Sequence, residues 1–345
     1  MTHTARGAQQ DVMADPFREH SVRLLREEIQ VLGGRFCFET ASADLLQLIR
    51  AAFAGLPAHR LSSRVPRFRI RLELTPSRKP GRTRREPPAM TLLSGVGHLC
   101  GATPSSNVVI MSPDERKALL VISPEMARFA YHTRYELIEL AVYMLAARWQ
   151  GLVSLHAGCV GIGNRGVLLV GASGSGKSTL ALHCMLDGFD LVSEDSALVA
   201  PETLRATGLA NFLHIQREGL QFLAGSVHAR RIRKSPLIRR RSGVTKLEVD
   251  LRRLDVRLAA APVRIVAVIF TTAERADVGA QLLVPLRKAE LAERLSATQA
   301  YAANNVGWDL FQKKLSRLQS FELRRGEHPR DGVRALRQLL SGPAR

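Results

Sequence analysis

Residues 35–40 (RFCFET) alternate apolar and polar positions as a strand does, and 41–56 then carry apolar residues at helical spacing. Before them, residues 1–34 read as a polar arm carrying a short amphipathic helix over 17–31, which Gly33-Gly34 would close. Residues 68–74 (FRIRLEL) are apolar on one face and charged on the other, which predicts a half-buried strand with antiparallel neighbours. The segment 75–88 (TPSRKPGRTRREPP) mixes Pro, Gly and basic residues and suits an exposed loop. Strands over 107–111 and 118–122 and a helix over 133–149 complete an N-terminal α/β domain of 35–150, with the boundary at Gln150-Gly151.

The second half, 151–345, opens on the strand-like run VSLHAGCV at 153–160, turns through 161–166 and enters a buried-type strand over 167–170. A glycine-rich loop and a helix over 177–186 follow, and Asp187-Gly188 ends that helix. The run 189–199 is an apolar strand interrupted by Glu194 and Asp195. Later come a buried strand over 263–270, a helix over 286–295, a strand over 320–323 and a closing helix over 331–340. Strands alternating with helices in both halves predict an α/β class.

At 345 residues the length prior agrees with two domains. Hydrophobic residues make up 46% and charged ones 23%, enough apolar material for packed cores. The most apolar run, 258–273, is interrupted by Pro262 and Arg264, so no membrane-spanning helix is expected. The first thirty residues mix both charges without an apolar core, which makes a cytoplasmic protein the expectation. Cys37, Cys100, Cys159 and Cys184 form no C-x-x-C pair and are expected to be reduced thiols. A formal charge of +19 favours anionic partners, but Arg supplies 42 of the 50 positive charges, a skew that a general Arg bias also produces. No recognition module accompanies the charge, so nucleic acid is not the expected partner.

The loop Gly171-Ala172-Ser173-Gly174-Ser175-Gly176-Lys177-Ser178-Thr179 satisfies G-x-x-x-x-G-K-[ST], between a strand and a helix as that motif requires. Glycines let successive backbone N–H groups curl round a phosphate at a helix N-terminus. Lys177 would reach the β- and γ-phosphates, and the Ser178 hydroxyl would ligate Mg²⁺. Consecutive strand residues face opposite ways, so Glu194 and Asp195 should do different jobs unless the strand ends there: one holding Mg²⁺ or its water, the other accepting a proton from an attacking hydroxyl, the alternative being a charged strand terminus at a turn. The run 228–241 (HARRIRKSPLIRRR) holds seven Arg or Lys in fourteen residues and reads as a mobile solvated loop, or as a clamp for an acidic acceptor or a nucleotide lid.

His156, the loop 171–179 and Ser193-Glu194-Asp195 after FDLV, in that order and spacing, resemble the C-terminal kinase domain of the bacterial HPr kinase/phosphorylase family over about 152–199. The resemblance implies an ATP- and Mg²⁺-dependent serine kinase on a P-loop core related to phosphoenolpyruvate carboxykinase, with 151–345 as the kinase domain. It implies Asp195 as the acid that deprotonates the acceptor serine, Lys177 as the phosphate-binding lysine and His156 as the active-site histidine. Metal ligands would be Ser178, Glu194 and, from a looser similarity around 213–220, Glu218. Two positions depart from the family: Glu194 stands where it usually has Asp, and Ala157 follows His156 in place of Gly. The family's C-terminal signature for reading its partner is not recognisable, so HPr itself and the reverse phosphorylase reaction are not carried over. The implied partner is a protein or peptide with an acceptor serine, possibly acidic, and the family's hexamers make a homo-oligomer an expectation. Two alternatives stay open: a nucleotide-binding regulatory protein without phosphotransfer, and a small-molecule kinase.

Overall fold

The structure, a computed structural model, describes residues 23–75, 86–89, 91–95, 97–102 and 107–342. The chain forms two compact units. One takes the chain up to Ile29, Phe36–Ala54 and Arg67–Leu145; the other takes Gln30–Arg35, Gly55–Pro66 and Ala146–Arg345.

The first unit begins with β1 (Leu25–Val31) and β2 (Gly34–Thr40), followed by α1 (Ala43–Phe53) and β3 (Arg67–Leu74). Then come β4 (Thr91–Gly95), β5 (His98–Ala102), β6 (Val108–Ser112) and β7 (Lys117–Ile122). The short helices α2 (Pro124–Ala127) and α3 (Ala130–His132) lead through a π-helical stretch, Thr133–Glu139, into α4 (Leu140–Trp149). The seven strands form one sheet in the order β1-β2-β3-β7-β6-β5-β4. Two expectations are corrected. Where a helix was expected over 17–31, Leu25–Val31 is a strand and Leu32-Gly33, both at positive φ, turn it back into β2; residues 17–22 lie outside the described residues. β3 pairs with β7 in parallel rather than antiparallel, because one-faced alternation reports burial but not the direction of the neighbour. Most of the basic loop at 75–88 lies outside the described residues.

The second unit starts with β8 (Val153–Leu155), β9 (Gly158–Ile162), β10 (Arg165–Val170) and α5 (Lys177–Leu186). β11 (Asp190–Ser193), β12 (Ala197–Ala200) and β13 (Arg205–Gly208) lead to β14 (Phe212–Ile215) and a 3-10 turn, Arg217–Leu223. α6 (Val227–Arg233), β15 (Leu237–Arg239) and β16 (Thr245–Asp250) precede the long β17 (Val263–Arg275). β18 (Leu283–Pro285), α7 (Lys288–Thr298), α8 (Trp308–Leu315), β19 (Gln319–Arg325) and α9 (Pro329–Ser341) close the chain. The main sheet runs β11-β9-β10-β17-β13-β12-β8, with β19 also beside β17; β14, β16 and β15 make a small antiparallel sheet.

Alternate residues of the central strands enter two different cores, which is how a strand covered on both faces must behave. Val167 and Leu169 of β10 pack with α5 and α9 residues such as Ala181 and Leu336, while Leu168 and Val170 pack with Leu291 of α7 and Phe311 of α8. β17 runs parallel to β10 and to β19, so the C-terminal ends of three strands open on the start of α5. The segment 55–66 is pinned to this unit by buried His59, whose Nδ1 lies 2.7 Å from Thr207 Oγ1 and Nε2 2.7 Å from the Ala259 carbonyl. A carbonyl only accepts, so Nε2 carries the proton, and burial holds the ring's pKa below its ordinary value.

The α/β expectation is borne out. The basic run 228–241 is corrected from a mobile loop: Ser226 caps α6 through the Ala229 N–H, and Ala229, Ile232 and Ile238 bury the inner faces of α6 and β15. Cys159 and Cys184 are buried and Cys37 and Cys100 half-buried, all as free thiols. Among the described residues no helix is long and apolar enough to cross a membrane.

Candidate active site

The loop 171–176 leaves the fully buried end of β10 and enters α5 through Gly176, at φ +100°, with no side chain capping the helix. The open backbone N–H groups of the first turn therefore remain available to an anion. Gly171 is required by close approach: a Cβ there would stand 2.5 Å from Thr271 Oγ1 and 2.7 Å from Ser175 Oγ. Those two hydroxyls are themselves bonded at 2.8 Å, tying the loop to β17. Lys177 is folded back across the loop, its Nζ donating to the carbonyls of Gly171 (2.5 Å) and Ala172 (3.3 Å). Burial lowers its pKa, while the charges of Asp195 and Glu194 pull it back up. From the end of β19, Arg325 Nη2 donates to the Gly174 carbonyl at 2.7 Å.

β11 stops at Ser193 because that hydroxyl bonds both the N–H (3.0 Å) and the carbonyl (2.6 Å) of Ser196, closing a bend over 194 and 195. The bend sends the two carboxylates apart. Buried Glu194 accepts from the Ser178 hydroxyl through Oε1, and its Oε2 lies 3.6 Å from His214 Nδ1. His214 Nε2 in turn lies 3.2 Å from Glu248 Oε1. Burial alone would push the Glu194 carboxyl up, but bonds from His214 and Ser178 and the charges of His214 and Lys246 hold it below the usual range. Burial likewise opposes the His214 imidazolium, and Glu194 and Glu248 outweigh it, raising its pKa. Replacing Glu194 by Ala would take one of its two carboxylate partners from that buried cation, and is expected to destabilise the protein by about 3 kcal/mol in urea unfolding, with a smaller loss for Glu194→Gln. An unchanged midpoint would show that the chain of contacts is not holding the unit together.

Asp195 faces the cavity instead. Its Oδ1 is 3.3 Å from His156 Nε2 and its Oδ2 3.6 Å from Arg240 Nη1. His156 sits at the break between β8 and β9, with its peptide clamped by Gln299: the His156 N–H donates to Oε1 (2.8 Å) and Nε2 donates to the His156 carbonyl (3.2 Å). The Tyr301 hydroxyl donates to the same Oε1 at 2.9 Å, and burial raises its pKa to about 12, so it stays a donor.

The loop, Asp195, His156 and Glu218 line one cavity of about 620 Å³. Its walls carry six Lys or Arg against three carboxylates, a balance suited to a polyphosphate. Glu218 projects from the exposed 3-10 turn, and among the described residues no group of three or more His, Cys, Asp or Glu could hold a metal ion alone. The all-oxygen pair of the Ser178 hydroxyl and the Glu194 carboxylate fits Mg²⁺, which is bound by one or two carboxylates together with substrate phosphates. Sequence reasoning missed Gln299, Tyr301, His214, Lys246 and Arg325. Arg240 lay within the basic run, which gave it a signal without a role.

Over 97 residues, 27% of this chain, the sequence is 36% identical to HPr kinase/phosphorylase of Xanthomonas campestris pv. campestris, and equally to that of Xanthomonas oryzae pv. oryzae. That stretch is similar to HPr kinase/phosphorylase, as the motifs led one to expect. The matched stretch spans 28% of those relatives' length. The solved HPr(Ser) kinase/phosphatase of Coxiella burnetii matches at 15% identity over 54% of this chain and 95% of its own, with a TM-score of 0.30. No protein-family model matches the chain.

Proposed function

We propose that the protein is a Mg²⁺- and ATP-dependent kinase that phosphorylates a serine of a protein or peptide, and that residues from 151 onward are its kinase domain. The observation that carries this reading is the division of labour at the bend: Glu194 is turned onto Ser178, while Asp195 meets the cavity between His156 and Arg240. Bound Mg·ATP supplies the phosphoryl group and neutralises its charge. Ser178 and Glu194 would hold the metal; the loop amides, Lys177 and Arg325 would hold the phosphates. Asp195 takes the proton of the acceptor hydroxyl as that oxygen bonds to the γ-phosphorus, and the bond to the β-bridging oxygen breaks with its electron pair leaving on the diphosphate. His156 keeps the carboxylate aimed, and Gln299 keeps His156 in place.

The test is a transfer assay with purified protein, Mg²⁺ and γ-labelled ATP in a lysate of its own host. Label on a serine of one protein or peptide is the expected result. Label on a small molecule alone would overturn the acceptor class, and bound ATP with no transfer would leave a nucleotide-responsive binding protein.

A further inference from the structure

The cavity has an aromatic end that the phosphotransfer chemistry leaves unused. The 3-10 turn Arg217–Leu223 packs against the first turn of α5 at Gly219, where a Cβ would stand 3.0 Å from Ile215 Cδ1 and 3.2 Å from Thr179 Oγ1. That close approach sets half-buried Phe222 in the cavity wall. The connection from β19 to α9 brings half-buried His328 against it, with ring centroids 5.5 Å apart and planes at 86°.

The two walls are tied together. His328 Nε2 lies 3.2 Å from the Phe222 carbonyl, which only accepts, so Nε2 carries the proton and Nδ1 accepts the Arg330 N–H at 3.1 Å. Behind both rings stands buried His183 of α5, at 5.2 Å from His328 and 6.4 Å from Phe222. Burial, helped by the charge of Arg330, lowers its pKa to about 4, so it backs the pair as a neutral ring. Leu180, Leu323 and Pro329 line the same cavity.

We propose that Phe222 and His328 form the seat of the nucleobase, whose ring stacks on this preformed aromatic pair while its phosphates reach the loop 171–179. The inference rests on the nucleotide reading above. The triphosphate is placed by the start of α5, and the turn bearing Phe222 is the element packed on Thr179 of that same helix. A volume of about 620 Å³ lies within the range of nucleotide-sized ligand sites and exceeds what phosphates alone would fill. Stacking on an aromatic face needs no particular base edge, so the seat gives affinity before it gives base identity.

The experiment compares Mg·ATP with Mg·tripolyphosphate, which has no base, by calorimetric titration of wild type, Phe222→Ala and Phe222→Tyr. Phe222→Ala is expected to weaken ATP about tenfold while tripolyphosphate stays within about twofold, and Phe222→Tyr is expected to keep ATP binding. Retained tripolyphosphate binding also shows that the variant is folded. Equal losses for both ligands, or unchanged ATP affinity, would overturn the seat and leave the nucleotide reading standing. Wild-type protein that binds neither ligand would overturn both.

Discussion

Asp195→Asn is expected to slow phosphotransfer by about 10²–10⁴-fold at saturating ATP while leaving ATP affinity within about threefold or tightening it. The amide has the size of the carboxylate and can still meet His156 and Arg240, but it cannot take up the acceptor's proton. Affinity is spared because the ion-pair partners of Asp195 lie outside the loop: His156 at 3.3 Å and Arg240 at 3.6 Å. Removing its charge also relieves repulsion against an incoming triphosphate. The opposing effect is slight, since Asp195 is one of two carboxylates that favour the charged form of Lys177 and Glu194 remains. Single-turnover transfer and a parallel ATP titration check both halves. Equal transfer rates in the variant and the wild type would remove Asp195 from the chemistry.

What could be read from sequence was local, and what could not was long-range. The phosphate loop was legible because strand, glycines, lysine and helix are contiguous. Strand alternation would separate Glu194 from Asp195 only if the strand ran on through them; it ends at Ser193, whose side chain closes a bend, and the bend separates them instead. Gln299 on His156 and Arg325 on Gly174 join residues 143 and 151 positions apart, and no local pattern marks such a pair. β1 was misread because Leu25, Ile29 and Leu32 fit a helical spacing as well as a strand ending in a tight turn, and only the partner strand decides. The basic run failed for a related reason: Ala229, Ile232 and Ile238 are buried while Leu237 stays exposed, and charge density concealed the buried ones.

Lys177→Ala should show the opposite pattern to Asp195→Asn, losing binding and turnover together. The ammonium is buried at the cavity wall, where a charged hydrogen bond is worth more than at the surface, so ATP affinity is expected to fall about 10–100-fold. A further 10²–10³-fold loss is expected at saturating ATP, because the same group meets charge that grows as the phosphoryl group departs. Part of the binding loss belongs to the loop itself, since Lys177 braces the carbonyls of Gly171 and Ala172 and its removal leaves the loop less well ordered. Lys177→Arg separates the two contributions. It restores the positive charge, but a planar fork cannot fill the place of a compact ammonium inside a loop this tight, so binding should recover more than transfer does. An unchanged ATP titration in Lys177→Ala would mean that the triphosphate lies elsewhere, and the kinase reading would fall with it.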